Sequence, residues 1–81
     1  MVNWQKTVDG KSIFREYVMK DFVSAVGLIN KIAELAEAAD HHPDIHLTGY
    51  KRLRIELSTH SVGTLTEKDF NLAEKIDALY V

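Results

Sequence analysis

The sequence contains no cysteine, and it has one proline and four glycines among its 81 residues. Without cysteine the chain can form neither a disulfide nor a cysteine nucleophile. Basic charge is also scarce, because 10 Lys and Arg face 12 Asp and Glu, for a formal net charge of −2. A nucleic-acid-binding protein needs a basic surface that neutralises phosphates, so we expect no direct nucleic-acid partner.

Long apolar runs are missing as well. No stretch approaches the ~20 apolar residues of a membrane span, and residues 1–6 lack the apolar core of a signal peptide. We therefore expect a cytoplasmic protein with no membrane partner. The composition is globular, with 46% hydrophobic and 27% charged residues. So short a chain supports a single domain, residues 1–81, whose small core predicts stabilisation by self-association.

The amino-terminal part of the sequence has the pattern of a β-hairpin. Asp9 and Gly10 separate residues 4–8 from residues 11–19. An Asp-Gly pair accommodates the positive φ angles of a two-residue type I′ turn. The second arm is rich in aromatic and β-branched residues, which favour a strand.

A long helix is predicted next, because apolar residues recur at three- and four-residue steps from Asp21 onward. The Asp21 side chain can cap the amino end of this helix. Pro43 disfavours the α conformation at His42, so the helix is predicted to end near residues 40–41. The residues after Pro43 are interpreted as a polar loop.

The second half of the sequence predicts one clear strand and a last helix. Apolar and polar residues alternate over residues 51–60, so one face of this strand is expected to lie against helices. Thr66 and Asp69 have the spacing of a capping box at the start of a helix that continues to Tyr80. The predicted fold is α+β: an antiparallel sheet of three to four strands with helices packed on one face, in the order β-β-α-β(-β)-α.

Histidines are concentrated in the second half of the chain, beside the predicted helix end and strand end. Histidine both donates and accepts protons near neutral pH, so such a cluster suits general acid–base catalysis. Glu37 lies four residues before the first of them, a spacing that places its carboxylate beside an imidazolium if the helix continues. The four histidines are His41, His42, His46 and His60.

These residues also have purely structural interpretations. A histidine at a helix end can cap carbonyl groups, and one at a strand end can simply be exposed. Asp69 can complete the capping box. Glu37 can be a solvated charge on the helix face, and Asp40 a polar residue in a fraying turn.

A metal site is the main chemical alternative to acid–base catalysis. His42 and His46 have the spacing of a ligand pair. The intervening proline means that they do not form the one-face helical pair of zinc proteases. The coordination shell of this alternative could be completed by Asp40, Asp44 and His60.

The spacing of several of these residues resembles the pattern of the pterin-4a-carbinolamine dehydratase family. The resemblance covers nearly the whole chain, and further matches are residues 20–22 at the start of the helix and residues 58–60 before the last helix. The main pattern consists of Glu37, His41-His42-Pro43, Tyr50, His60 and Asp69.

The resemblance implies an activity, that of a 4a-hydroxytetrahydrobiopterin dehydratase, which is a hydro-lyase. Such an enzyme removes water from a 4a-hydroxytetrahydropterin, or 4a-carbinolamine, and yields the quinonoid dihydropterin that a reductase recycles. It implies no cofactor and no metal. The lone pair on the ring nitrogen expels hydroxide, so the catalyst must protonate the departing oxygen and accept the proton that the nitrogen loses.

The resemblance also implies roles for individual residues. His41 and His60 would act on the leaving group and the ring proton, with the assignment of acid and base left open. His42 would mainly bind and orient the pterin. The residues implied to line or support the substrate site are Glu37, Asp40, Pro43, Ser58, Thr59 and Asp69, the last of which could orient a histidine while capping its helix.

The sequence departs from the family pattern in several places. Many members carry an additional amino-terminal helix, and its lack here is expected to leave part of the sheet or helix layer uncovered. Many also have an aromatic residue where this chain has Ile45, which is expected to weaken stacking on the pterin ring. His46 has no counterpart in the family pattern and is left outside the site.

A second functional class follows from the same resemblance. Some relatives serve as dimerisation cofactors of a homeodomain transcription factor, so a non-catalytic module for dimerisation or partner binding is the alternative function. That alternative does not require the histidines. By analogy with the family, we expect a homodimer that pairs sheet edges, or a homotetramer formed through helices.

Overall fold

The computed structural model describes residues 3–79. Within this range no helix is long and apolar enough to cross a lipid bilayer. Met1 and Val2, part of the segment compared with a signal peptide, and Tyr80, predicted to lie on the last helix, are outside the described residues. In chain order the elements are β1 (Gln5–Lys6), β2 (Ile13–Val18), α1 (Phe22–Ala39), β3 (Asp44–Thr48), β4 (Arg52–Leu57) and α2 (Glu67–Leu79).

The strands form one antiparallel sheet in the spatial order β1-β2-β4-β3. Strand β2 pairs with β4 from Ile13 opposite Leu57 to Val18 opposite Arg52. Buried side chains of β2, β4 and both helices form one apolar core, so both helices pack on the same face of the sheet. The predicted α+β fold, with an antiparallel sheet and helices on one face, is confirmed.

The interpretation of the residues after Pro43 as a loop is wrong, because they form the edge strand β3. Ile45 and Leu47 are half-buried and pack against the core, whereas the alternate positions of β3 are exposed. Two apolar residues give too short a period-2 pattern to identify a strand from sequence. The pairing with β4, from Asp44 opposite Glu56 onward, supplies the hydrogen bonds that fix this strand.

The amino-terminal hairpin is confirmed, but its turn is not the predicted type I′ turn. The Gly10 amide donates to the Thr7 carbonyl at 2.9 Å, so Val8 and Asp9 occupy the central positions. Within this loop only Gly10 has a positive φ, of 71°. The Asp9 carboxylate accepts hydrogen bonds from the Thr7 hydroxyl at 2.7 Å and the Lys11 amide at 3.0 Å. Hydrogen bonds to the Asp9 side chain therefore stabilise the observed turn. The predicted type I′ turn would instead have needed a second residue with a positive φ.

Helix α1 begins and ends where the sequence predicts. The Asp21 carboxylate accepts a hydrogen bond from the Ser24 amide at 2.8 Å. At the other end Ala39 is the last helical residue, and Asp40 adopts a left-handed conformation with φ 50°. The Asp40 amide donates to two carbonyls of the last turn. This left-handed residue turns the chain out of the helix just before His41.

The cap of α1 predicts a pH dependence of stability. Two hydrogen bonds lower the pKa of Asp21 below its ordinary value of 3.8. The one from the Ser24 amide has the larger effect, and the one from the Ser24 hydroxyl has the smaller. A carboxyl group whose pKa is lower in the folded than in the unfolded state stabilises the fold fully at pH values above the unfolded pKa. This contribution is lost as the pH falls through the pKa of the folded state. We expect Asp21→Ala to lower the free energy of unfolding at pH 7, with a difference from the parent that narrows below pH 3.8.

Chemical denaturation at several pH values measures this difference. The control is Asp21→Asn, which keeps a capping oxygen but does not titrate. A difference between parent and Asp21→Ala that is independent of pH would contradict the assigned origin of the cap's stability.

Candidate active site

A pocket of about 210 Å³ lies at one end of the sheet, where α1 ends and α2 begins. Its lining includes three of the four histidines, His41, His42 and His60. The first two precede β3 and the third follows β4, and the antiparallel pairing of these strands brings the two segments to the same end of the sheet. The other residues that line the pocket are Asp40, Ser58, Thr59, Ser61 and Lys68.

His41 is the buried histidine of this pocket, with 9% of its surface exposed. Its Nε2 atom lies 2.6 Å from Oδ1 of Asp69, which is completely buried at the start of α2. The predicted pairing of Glu37 with His41 is wrong. The helix ends at Ala39, so the four-residue spacing no longer places these two side chains on one helical face.

The Asp69 carboxylate has two structural roles. Its Oδ2 atom accepts hydrogen bonds from the Thr66 amide at 2.9 Å and from the Thr59 hydroxyl at 2.8 Å. The first of these contacts caps α2 in the way that the Thr66 and Asp69 spacing predicts. The Oδ1 atom faces His41, so one buried carboxylate both caps a helix and holds an imidazole.

His42 stands at the exposed side of the pocket. Its Nε2 atom contacts Oε2 of Glu37, so Glu37 pairs with the second histidine rather than the first. The side chains of His42 and Glu37 are 57% and 76% exposed. Solvent screens such a pair, so it contributes little to the stability of the fold.

His60 lies in a turn and not at the end of a strand as predicted. Strand β4 ends at Leu57, and the following residues form a tight turn in which the Thr59 carbonyl accepts from the amides of Val62 at 3.1 Å and Gly63 at 2.9 Å. The turn leaves His60 exposed. Its place in the same pocket as His41 therefore depends on turn geometry that residue alternation does not encode.

The remaining candidate residues divide into those that line the pocket and those that do not. Asp40, Ser58 and Thr59 line it, although the Thr59 hydroxyl is engaged by Asp69. Glu37 and Asp69 do not line the pocket, but each contacts a histidine that does. Pro43 is half-buried and is not one of the residues that line the pocket.

Sequence reasoning missed Lys68, which brings a positive charge to the pocket. Its position in the sequence, immediately before Asp69 in the first turn of α2, is the signal that could have identified it. Ser61 was missed as a lining residue for the same reason that misplaced His60, because both lie in the turn after β4. Ile45, the residue in the family's aromatic position, packs against the core instead of lining the pocket.

The alternative metal-ligand set is not assembled. His46 lies opposite Arg54 in the β3–β4 pair and lines a separate groove on the sheet face away from the helices. Within residues 3–79 there is no group of three or more His, Cys, Asp or Glu side chains placed to hold a metal ion. His42 and His46, the ligand pair of that alternative, thus belong to different surfaces.

Fold and pocket together define a class of protein: a small α+β domain with a histidine-lined pocket at one end of its sheet. The family model for pterin 4 alpha carbinolamine dehydratase matches residues 1–79, and the chain belongs to this family. A relative from Picosynechococcus, whose name assigns it provisionally as a pterin-4-alpha-carbinolamine dehydratase, is 49% identical over 76 residues. The match covers 94% of this chain and 79% of the relative.

Solved structures show the same fold. The crystal structure of a transcriptional coactivator/pterin dehydratase from Brucella melitensis is 37% identical, with a TM-score of 0.90 over 98% of this chain and 83% of that one. A pterin dehydratase-like protein identified as a RuBisCO assembly factor in the alpha-carboxysome has a TM-score of 0.77 over 95% of this chain and 88% of that one. At 20% identity the second likeness shows the fold alone. The family predicted from the sequence is confirmed.

Proposed function

We propose that this protein dehydrates a 4a-hydroxytetrahydropterin to the quinonoid dihydropterin by histidine acid–base catalysis. The observation that carries the proposal is that His41, held at Nε2 by the buried Asp69, lines the same pocket as His60. Membership of the dehydratase family supports a reduced pterin as the substrate.

The reaction requires two proton transfers and no redox step. The bond between C4a and the hydroxyl oxygen breaks as the lone pair of the ring nitrogen forms a C=N bond. One proton is added to the departing oxygen to give water, and one proton leaves the ring nitrogen. A positioned acid and a positioned base are therefore sufficient, and each typically contributes ~10²–10⁴-fold to the rate.

His41 and His60 form the proposed catalytic pair. The contact with Asp69 occupies Nε2 of His41, so Nδ1 is the ring nitrogen left to exchange a proton with the substrate. His60 is exposed and can exchange its proton with solvent between turnovers. One of the two imidazoles protonates the hydroxyl and the other accepts the ring proton.

The other candidate residues bind or support. His42, oriented by Glu37 at the exposed side of the pocket, is proposed to bind the pterin. Asp40 and Ser58 are polar lining residues suited to hydrogen bonds with the pterin ring. Pro43, Thr59 and Asp69 support the site, the last two through the hydrogen bonds around His41.

The wider parts of the proposal remain predictions. They are a single dehydratase domain over residues 1–81, a role in tetrahydrobiopterin synthesis and recycling, a cytoplasmic location, and a homodimer or homotetramer. The proposal also keeps the expectations of no cofactor and no direct nucleic-acid partner.

The test follows the decay of a 4a-hydroxytetrahydropterin, generated in situ, by its ultraviolet absorbance with and without the protein. We expect a decay rate that rises in proportion to protein concentration and is unchanged after dialysis against a chelator. Decay at the uncatalysed rate would overturn the proposal. A rate that disappears on dialysis and returns with zinc would favour the metal alternative.

Partner binding is the second candidate function. It is favoured by the Brucella structure, whose name combines a transcriptional coactivator with a pterin dehydratase. Partner binding does not use the pocket histidines, so the His41→Ala protein would keep its partner while losing dehydration. Comparing the two properties in one variant separates the functions.

A further inference from the structure

A chain of hydrogen bonds connects His41 to the first turn of α2. The Lys68 amide donates to Oγ1 of Thr66 at 3.3 Å, and Oγ1 of Thr66 lies 2.6 Å from Oγ1 of Thr59. The Thr59 hydroxyl reaches Oδ2 of Asp69 at 2.8 Å, and Oδ1 of Asp69 lies 2.6 Å from Nε2 of His41. Thr66 does not line the histidine pocket, but it is linked to His41 through two side chains.

The direction of each hydrogen bond in this chain follows from the groups involved. An ionised carboxylate only accepts, so Thr59 donates its single hydroxyl proton to Asp69. Oγ1 of Thr59 must then accept in its contact with Thr66, which makes the Thr66 hydroxyl the donor. Oγ1 of Thr66 in turn accepts from the Lys68 amide. Every bond from Lys68 to Asp69 points the same way.

The ionised Asp69 carboxylate can only accept, so it determines which nitrogen of His41 carries the proton. Oδ2 of Asp69 already accepts from the Thr59 hydroxyl and the Thr66 amide, so Oδ1 is free to accept from Nε2–H of His41. Bonds in such a chain polarise one another, so loss of a distant member weakens the others. Without the Thr66 hydroxyl, Thr59 could rotate its proton away from Asp69.

We propose that Thr66 is a positioning residue for His41. Its hydroxyl, acting through Thr59, holds the Asp69 carboxylate in the orientation that accepts from Nε2–H of His41 and leaves Nδ1 for proton transfer. The structural part of this proposal stands on the contacts above, and its catalytic part rests on the proposed dehydratase function. Thr66 also caps α2, so a loss of stability alone would not distinguish positioning from helix capping.

The first measurement is independent of activity and uses the Nε2–H proton resonance of His41 in the substrate-free protein. This resonance is assigned by its loss in His41→Ala. We expect it to be sharp in the parent and in Thr66→Ser, which keeps the hydroxyl, and broadened by solvent exchange in Thr66→Val. Thr64→Val, in the same loop at an exposed position, serves as the matched control and should keep the resonance.

The second measurement is the pH profile of kcat in the same variants. Thr66→Val is expected to lower kcat by about 2- to 12-fold, the equivalent of one net hydrogen bond, and to displace the pH profile. Thr66→Ser should restore both. In a Thr59→Val background the Thr66→Val substitution should have no further effect, because the chain is already broken.

The outcomes separate this proposal from the proposed function. The positioning role would be overturned if Thr66→Val kept the resonance and the pH profile of the parent. It would also be overturned if Thr66→Val lowered kcat equally in the parent and in the Thr59→Val background. Either result would leave the dehydratase proposal standing. A parent without dehydratase activity would overturn the function and with it the catalytic part. The resonance would then still decide whether Thr66 positions His41.

Discussion

Replacing His41 with alanine is expected to lower kcat/KM for 4a-hydroxytetrahydropterin by about 10²–10⁴-fold, the range typical of a positioned general acid or base. The variant removes the one pocket imidazole that is both buried and held by a carboxylate. His60→Ala is expected to give a loss in the same range, because the reaction needs an acid and a base. The decay of the substrate's ultraviolet absorbance measures both.

The matched control for these variants is His46→Ala. His46 is exposed on β3 and lines a separate groove on the sheet face away from the helices, so its loss should leave the rate unchanged. Thermal unfolding of each variant shows whether it remains folded at the assay temperature. Parental rates in both His41→Ala and His60→Ala would contradict the assigned roles.

Asp69→Asn is expected to lower kcat by about 10²–10⁴-fold while preserving the fold, because it imposes the wrong tautomer on the catalytic histidine. The amide oxygen of Asn would take the place of Oδ2, which accepts from the Thr66 amide and the Thr59 hydroxyl. Its NH₂ group would then face Nε2 of His41, which could no longer carry a proton. The proton would move to Nδ1, the nitrogen proposed to serve the substrate.

Asp69→Ala should instead damage stability. It removes a completely buried carboxylate and leaves its three donors without their acceptor, two of them on the buried side chains of His41 and Thr59. Each unsatisfied buried group costs about 1–3 kcal/mol, a large share of the ~5–15 kcal/mol that stabilises a typical domain. Denaturation measures the loss for Asp69→Ala, with Asp44→Asn on the exposed edge strand as the control. Parental activity and an unchanged His41 tautomer in Asp69→Asn would show that the carboxylate has no role in catalysis.

The sequence predicts helix α1 and the sheet well where local signals are strong. Asp21 identifies the start of α1, and Pro43 places its end to within a residue or two. The alternation around Ile55 identifies β4. The predicted order allowed a fourth strand but did not locate it after Pro43, because the five residues of β3 carry only two apolar side chains and the pairing with β4 determines their conformation. Tertiary contacts thus override a weak local pattern.

The candidate site shows a similar division. Residue spacing identifies the family, which the matching family model confirms, and it brings the relevant histidines to attention. Spacing alone cannot show that Glu37 contacts His42 instead of His41, because that depends on the left-handed turn at Asp40. The contact of His41 with Asp69 joins residues 28 positions apart, and only the packing of α2 beside the end of α1 creates it. The roles assigned to these residues remain predictions.

A crystal structure of the protein with a bound dihydropterin tests the central claim most directly. The account predicts that the ligand occupies the pocket of His41, His42 and His60, with the carbon that bears the hydroxyl in the substrate within reach of both His41 and His60. Two results would contradict it: a ligand bound in the groove beside His46 and Arg54, or a ligand in the histidine pocket whose reacting carbon touches neither imidazole.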